Sequence, residues 1–142
     1  MADSIFVDSV HLIALNSLDD EWRASALSAA EALEPSQQFI TSHGVLSEVL
    51  AHFCRSGVAL RVELARRFLQ MSADPQYTVI AHSPELMEDA LNLYAGEFAE
   101  SSLSLQDCVT IQIMREYRIA SILTADQEFA RAGFTPLLRR YI

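Results

Sequence analysis

A parallel, doubly wound α/β sheet of about four to five strands flanked by helices is the fold this sequence predicts. Three observations predict it. Short apolar runs recur along the chain and are too short to be helices. Stretches of helical period separate them, as crossover connections require. Acids directly follow two of the runs, Asp8 after Ile5-Phe6-Val7 and Asp126 after Ile119 to Leu123. Open parallel sheets carry their ligand groups at that end of the strands.

Taken in order, residues 4–8 read as a buried strand and residues 9–16 as a first helix. Asp19-Asp20-Glu21 favour the start of a second helix over about 20–33, because acids suit a helix N-terminus, and Pro35 stops it. Residues 38–41 form the second strand. Ser42 is an N-cap for a helix running to about Cys54, with Val45, Leu46, Val49, Leu50 and Phe53 as its apolar stripe. Gly57 ends that segment. A helix over about 59–71 carries Leu60, Leu64, Phe68 and Met71 on one face and the pair Glu63 and Arg67 on its surface. Residues 77–80 are the third strand. Ser83-Pro84 then opens a helix with a cap and a proline at its first position. A helix over about 104–115, a strand over 119–123, a short helix over 127–132 closed by Gly133 and a last strand over 135–138 complete the reading. No repeat or linker divides the 142 residues, so a single domain is expected over 1–142.

Composition narrows the function. The chain is 51% apolar with a formal charge of −9, which argues against disorder and against a broadly basic nucleic-acid binder. All ten basic residues are arginine, so P-loop and Schiff-base chemistries lack their lysine. The four glycines are scattered and form no dinucleotide fingerprint. Cys54 and Cys108 are too few for a structural zinc site and are expected to be reduced, buried and inert. The four histidines pair nowhere at metal-ligand spacing, although His11 and His52 could border a pocket. There is no signal-peptide pattern and no span-length apolar run, so a cytoplasmic protein with no membrane partner is expected.

Asp8, Glu48, Asp107 and Asp126 are the candidate site. Each occupies a position that can reach the top of the sheet, and four such charges repel unless a cation lies between them. A hard divalent ion with oxygen ligands, Mg²⁺ or Mn²⁺, suits them. Each acid also has a plainer reading. Ser104-x-x-Asp107 is a capping box, Glu48 is an exposed helix residue, and Asp126 is an N-cap.

Four blocks carry a resemblance. They are Ile5-Phe6-Val7-Asp8-Ser9, Val45-Leu46-Ser47-Glu48-Val49-Leu50, Leu103-Ser104-Leu105-Gln106-Asp107-Cys108 and Ile122-Leu123-Thr124-Ala125-Asp126-Gln127-Glu128-Phe129. In this order, through to Ala132-Gly133-Phe134, the chain resembles the PIN-domain nucleases, and among them the VapC-like toxins of bacterial toxin–antitoxin pairs. The first block departs from the pattern by continuing Val10-His11, where a second small hydroxyl residue is usual. The resemblance implies a PIN-like sheet and a metal-dependent endoribonuclease cutting single-stranded RNA. It also implies a homodimer and a small antitoxin partner. Asp8, Glu48, Asp107 and Asp126 would then be both catalytic residues and metal ligands, with Asp8 and Asp126 the direct ones. Ser9 and Thr124 would support them. Arg115, Arg118 and Arg131, with Arg139 and Arg140 nearer the C-terminus, are candidates to contact RNA. Two other classes compete. A catalytically silent PIN-like module binding metal, RNA or protein would fit the acidic surface. A phosphoacceptor receiver domain also gathers acids at strand ends, but it needs a lysine that is absent here.

Overall fold

The computed structural model describes residues 3–139. Five parallel strands form one sheet in the order β3-β2-β1-β4-β5. They are β1 (Ile5–Val7), β2 (Phe39–Ser42), β3 (Tyr77–Ile80), β4 (Ser121–Leu123) and β5 (Thr135–Pro136). Seven helices connect them: α1 (Ser9–Asn16), α2 (Arg23–Glu31), α3 (His43–His52), α4 (Val58–Ala73), α5 (Pro84–Ala95), α6 (Leu105–Glu116) and α7 (Glu128–Arg131).

Strand β1 lies in the middle, and its three residues are buried. That is why it reads as an unbroken apolar run rather than an alternating one. Its register pairs Ile5 with Phe39 on one side and with Ser121 on the other. Chain order therefore reverses between β1 and β4, which places the crevice of the fold at the carboxyl ends of these two strands.

The punctuation acts as its chemistry dictates. The Ser42 hydroxyl accepts from the Val45 amide at 3.2 Å and Ser83 from Leu86 at 3.1 Å, with Pro84 opening α5. Gly57 enters α4 at φ 105°, a left-handed conformation that disfavours any residue with a Cβ. Glu63 bonds both Arg66 and Arg67 on the surface of α4.

Three expectations need correction. Helix α2 starts at Arg23 rather than near 20, because the Asp20 carboxylate accepts from the Trp22 amide at 2.8 Å and folds the acids into a turn. Strand β5 is two residues long, Thr135–Pro136, although the Leu137 and Leu138 amides still donate to the Ile122 and Thr124 carbonyls at 2.9 and 3.2 Å. Cys54 is exposed, while Cys108 is buried as expected and burial pushes its thiol up. Among the described residues no helix is long and apolar enough to cross a membrane. Arg140 lies outside the described residues.

Candidate active site

The site begins at the end of β1. Asp8 follows Val7 and is 5% exposed. The Thr124 hydroxyl, just beyond β4, donates to Asp8 Oδ2 at 2.8 Å. The Thr124 Oγ1 in turn accepts from the Asp126 amide at 3.3 Å. One buried hydroxyl thus ties the acid of one central strand to the backbone that carries the acid of its neighbour.

Glu48 enters from α3. It is exposed at the surface, as its plain reading expects, yet its Oε1 accepts from the Ser9 hydroxyl at the start of α1. Asp107 enters from the first turn of α6 and forms the capping box. Its Oδ2 accepts from the Ser104 amide at 2.9 Å while its own amide donates to Ser104 Oγ at 3.1 Å. Asp126 Oδ1 accepts from the Glu128 amide at 2.9 Å, fixing the turn into α7. The capping box and the exposed Glu48 are present as their plain readings expect, whereas the N-cap of α7 is Gln127 and Asp126 lies one residue before it.

The acids act on one another. Burial pushes the Asp8 carboxyl up to about 7, and the neighbouring charges of Asp107 and Glu48 push the same way against the Thr124 and Ser9 hydrogen bonds. Burial also raises Asp107, against its two bonds to Ser104, and the charges of Asp126 and Glu48 raise it further. Among the described residues no three His, Cys, Asp or Glu side chains are gathered closely enough to hold one ion directly. Each of the four acids keeps an oxygen on a local hydroxyl or amide instead. The donor set nevertheless suits a hard cation. It consists of carboxylate oxygens alone, and Mg²⁺ takes only one or two carboxylates directly and keeps several waters.

Two side chains that sequence reasoning did not single out shape this end of the molecule. Gln106, beside Asp107, lies so close over Gly44 that a Cβ there would collide with its amide, and its buried Nε2 has no hydrogen-bond partner among the described residues. The start of α6 thereby sits against the start of α3. Phe98 packs under the Arg115 guanidinium, 5.5 Å from the ring centroid. Neither pairing has a local signal, since the partners lie on different elements.

The remaining candidates are engaged as follows. Arg115 is engaged by Glu97 through two bonds of 2.6 and 2.9 Å. Arg118 is exposed and has a φ of 55°. Arg131 pairs with Glu128 at 2.8 Å. The Arg139 amide donates to Ser25 Oγ at 2.8 Å. His11 is buried in α1 and lines an apolar cavity with Leu12, Leu15 and Phe39. Burial holds its imidazole down to about 4, and its Nδ1 has no partner among the described residues. His52 is exposed and packs edge-on against Phe53.

Against known proteins, no curated sequence matches the chain. Among solved structures it is similar to Mycobacterium tuberculosis VapC20, described as a sarcin-ricin loop cleaving toxin. The TM-score is 0.81 and the identity 25%, over 95% of this chain and 99% of that one. Residues 5–135 match the PIN domain. With five parallel strands in this order and a match that covers nearly its whole length, the chain belongs to the PIN domain family.

Proposed function

We propose that this protein is a divalent-metal-dependent endoribonuclease acting at Asp8, Glu48, Asp107 and Asp126, and the toxin of a toxin–antitoxin pair. PIN family membership and the likeness to a toxin that cleaves the sarcin-ricin loop support a nuclease activity. The observation that carries the reading to these residues is electrostatic. Burial is the main cause that raises both Asp8 and Asp107; the charges of Asp107 and Glu48 add to the first and those of Asp126 and Glu48 to the second, and a cation would relieve both.

Asp8 and Asp126 would hold the ion, Mg²⁺ or Mn²⁺, with Glu48 and Asp107 contacting it directly or through water. When bound, it supplies an activated water and neutralises charge on the phosphoryl oxygens. The chain's own work is positioning. Thr124 fixes the Asp8 carboxylate by donating to Oδ2 and sets the turn that carries Asp126. Ser9 holds Glu48 over the first turn of α1. The Ser104 capping box fixes Asp107. A carboxylate so fixed can orient the attacking water and accept its proton. The expected products carry 5′-phosphate and 3′-hydroxyl ends. Arg118 and Arg131 would meet RNA phosphates, a homodimer is the expected assembly, and a small antitoxin would cover the site.

The test is cleavage of structured and unstructured RNA with Mn²⁺, with Mg²⁺ and with chelator, beside Asp8→Asn. Metal-dependent cutting by the wild type, absent in the variant, supports the reading. Equal residual cutting by both would favour the silent binding module, which the charge of −9 also suits. A toxin role predicts growth arrest on expression, relieved by a small co-encoded protein.

A further inference from the structure

A groove of about 500 Å³ is lined by Phe98, Glu100, Ser101, Leu103, Glu128 and Arg131, and its lining reaches residues that bond or adjoin two of the acids. Both of its walls end at the site. Leu103 immediately precedes Ser104, whose amide bonds Asp107. Glu128 donates its amide to Asp126. A polynucleotide whose cut phosphate lies at the acids must continue across a neighbouring surface, and this groove starts there.

Its chemistry is that of a nucleotide subsite. Phe98 offers a half-buried ring. That ring is held in place by Arg115, itself fixed on both nitrogens by Glu97. The loop is preformed. The Phe98 amide donates to the Leu93 carbonyl at 2.9 Å, the Ser101 hydroxyl to the Phe98 carbonyl at 2.7 Å, and the Leu103 amide to Ser101 Oγ at 3.2 Å. Leu103 gives an apolar floor. Arg131 is 79% exposed and, among the described residues, its guanidinium bonds across one turn to Glu128. Such a surface pair is weak, so a phosphate can take the guanidinium from it. The volume lies within the range of small-ligand sites.

We infer that this groove takes one unstacked base of single-stranded RNA next to the cut phosphate, with Phe98 as its stacking surface and Arg131 on the adjoining phosphate. Glu128 competes with that phosphate for Arg131. The inference rests on the nuclease reading and adds a specificity element that the four acids do not supply. An unstacked base is available in single strands and loops but not in a duplex.

The test uses single-stranded RNA carrying 2-aminopurine, bound to the full chain as Asp8→Asn so that the strand stays intact. Stacking on Phe98 quenches the probe. Phe98→Leu should lose the quench and weaken binding about fivefold or more, and Phe98→Tyr should keep both. Arg131→Ala should lower the slope of log affinity against log salt by about 0.7. In the wild-type background, Phe98→Leu and Arg131→Ala should raise KM more than they lower kcat, while Glu128→Gln should lower KM. An unchanged quench in Phe98→Leu overturns the inference. If Phe98→Leu fails to fold, equal KM values for Arg131→Ala, Glu128→Gln and wild type overturn it. Failure of the wild type to cut any RNA would instead count against the nuclease reading, because the binding assay needs no cleavage.

Discussion

The Thr124 hydroxyl donates to Asp8 Oδ2 at 2.8 Å, joining the ends of the two strands that flank the reversal of sheet order. Neither residue is exposed. The bond lowers the Asp8 carboxyl against the burial that raises it.

Removing it should therefore act on the site before the fold. Thr124→Val keeps the shape but leaves Asp8 with only the Ser9 bond to hold it down, so the carboxyl rises further. Metal affinity or RNA cleavage should fall about 10- to 100-fold, as for other residues that hold a metal ligand. Thr124→Ser should restore most of it. Equal activity for the valine variant, measured by steady-state cleavage, would contradict this role.

Asp8 and His11 should give opposed pH dependences in chelator. The Asp8 pKa is raised from its ordinary 3.8 to about 7, so its contribution is full below the lower value and is lost as pH rises through the upper one. The His11 pKa is lowered from 6.5 to about 4, so its contribution is full above 6.5 and is lost as pH falls toward 4. Between about pH 4 and 6.5 the two oppose each other. Denaturant midpoints should rise with pH in Asp8→Asn and fall with pH in His11→Phe. Each slope should be at most about 1.4 kcal/mol per pH unit. Parallel profiles for the two variants would refute the assignment.

Gly44 and Gln106 should be coupled. Alanine in place of a helical glycine ordinarily stabilises by roughly 1 kcal/mol. At Gly44 the new methyl must expel the Gln106 amide, so Gly44→Ala alone should gain less. In a Gln106→Ala background the full gain should return. A double-mutant cycle by chemical denaturation reads the difference, and additivity within about 0.3 kcal/mol would show no contact.

Arg118 holds a left-handed backbone just past α6, where glycine is the usual occupant. Arg118→Gly should stabilise the protein by about 1 kcal/mol. If Arg118 also meets RNA, the same variant should bind RNA more weakly and with a shallower salt dependence. A loss of stability by thermal melting would contradict the strain.

Much of this architecture was legible in the sequence because buried parallel strands are short apolar runs and helix caps are local. Ile5 to Val7, the Ser42 and Ser83 caps and the Ser104 capping box each announce themselves within a few residues. The start of α2 did not, because Asp20 can favour a helix or bond its own turn, and the second wins here. Cys54 reads as a core residue by type but sits past the end of α3 in an exposed turn. The acids at strand ends marked the candidate site, and Asp8 stood out because nothing in packing explains it. What no local pattern encodes are contacts between distant elements. Gln106 over Gly44, Ser9 on Glu48 and Arg115 between Glu97 and Phe98 depend on which helices become neighbours.

Asp8, Glu48, Asp107 and Asp126 are proposed to share one divalent cation. Calorimetric titration of the chelator-treated protein with Mn²⁺ tests it most directly, beside Asp8→Asn, Asp107→Asn and, as a control, Glu63→Gln. We expect one saturable site in the wild type and in Glu63→Gln, weakened at least tenfold in both aspartate variants. Indistinguishable isotherms for the wild type and the two aspartate variants would contradict it.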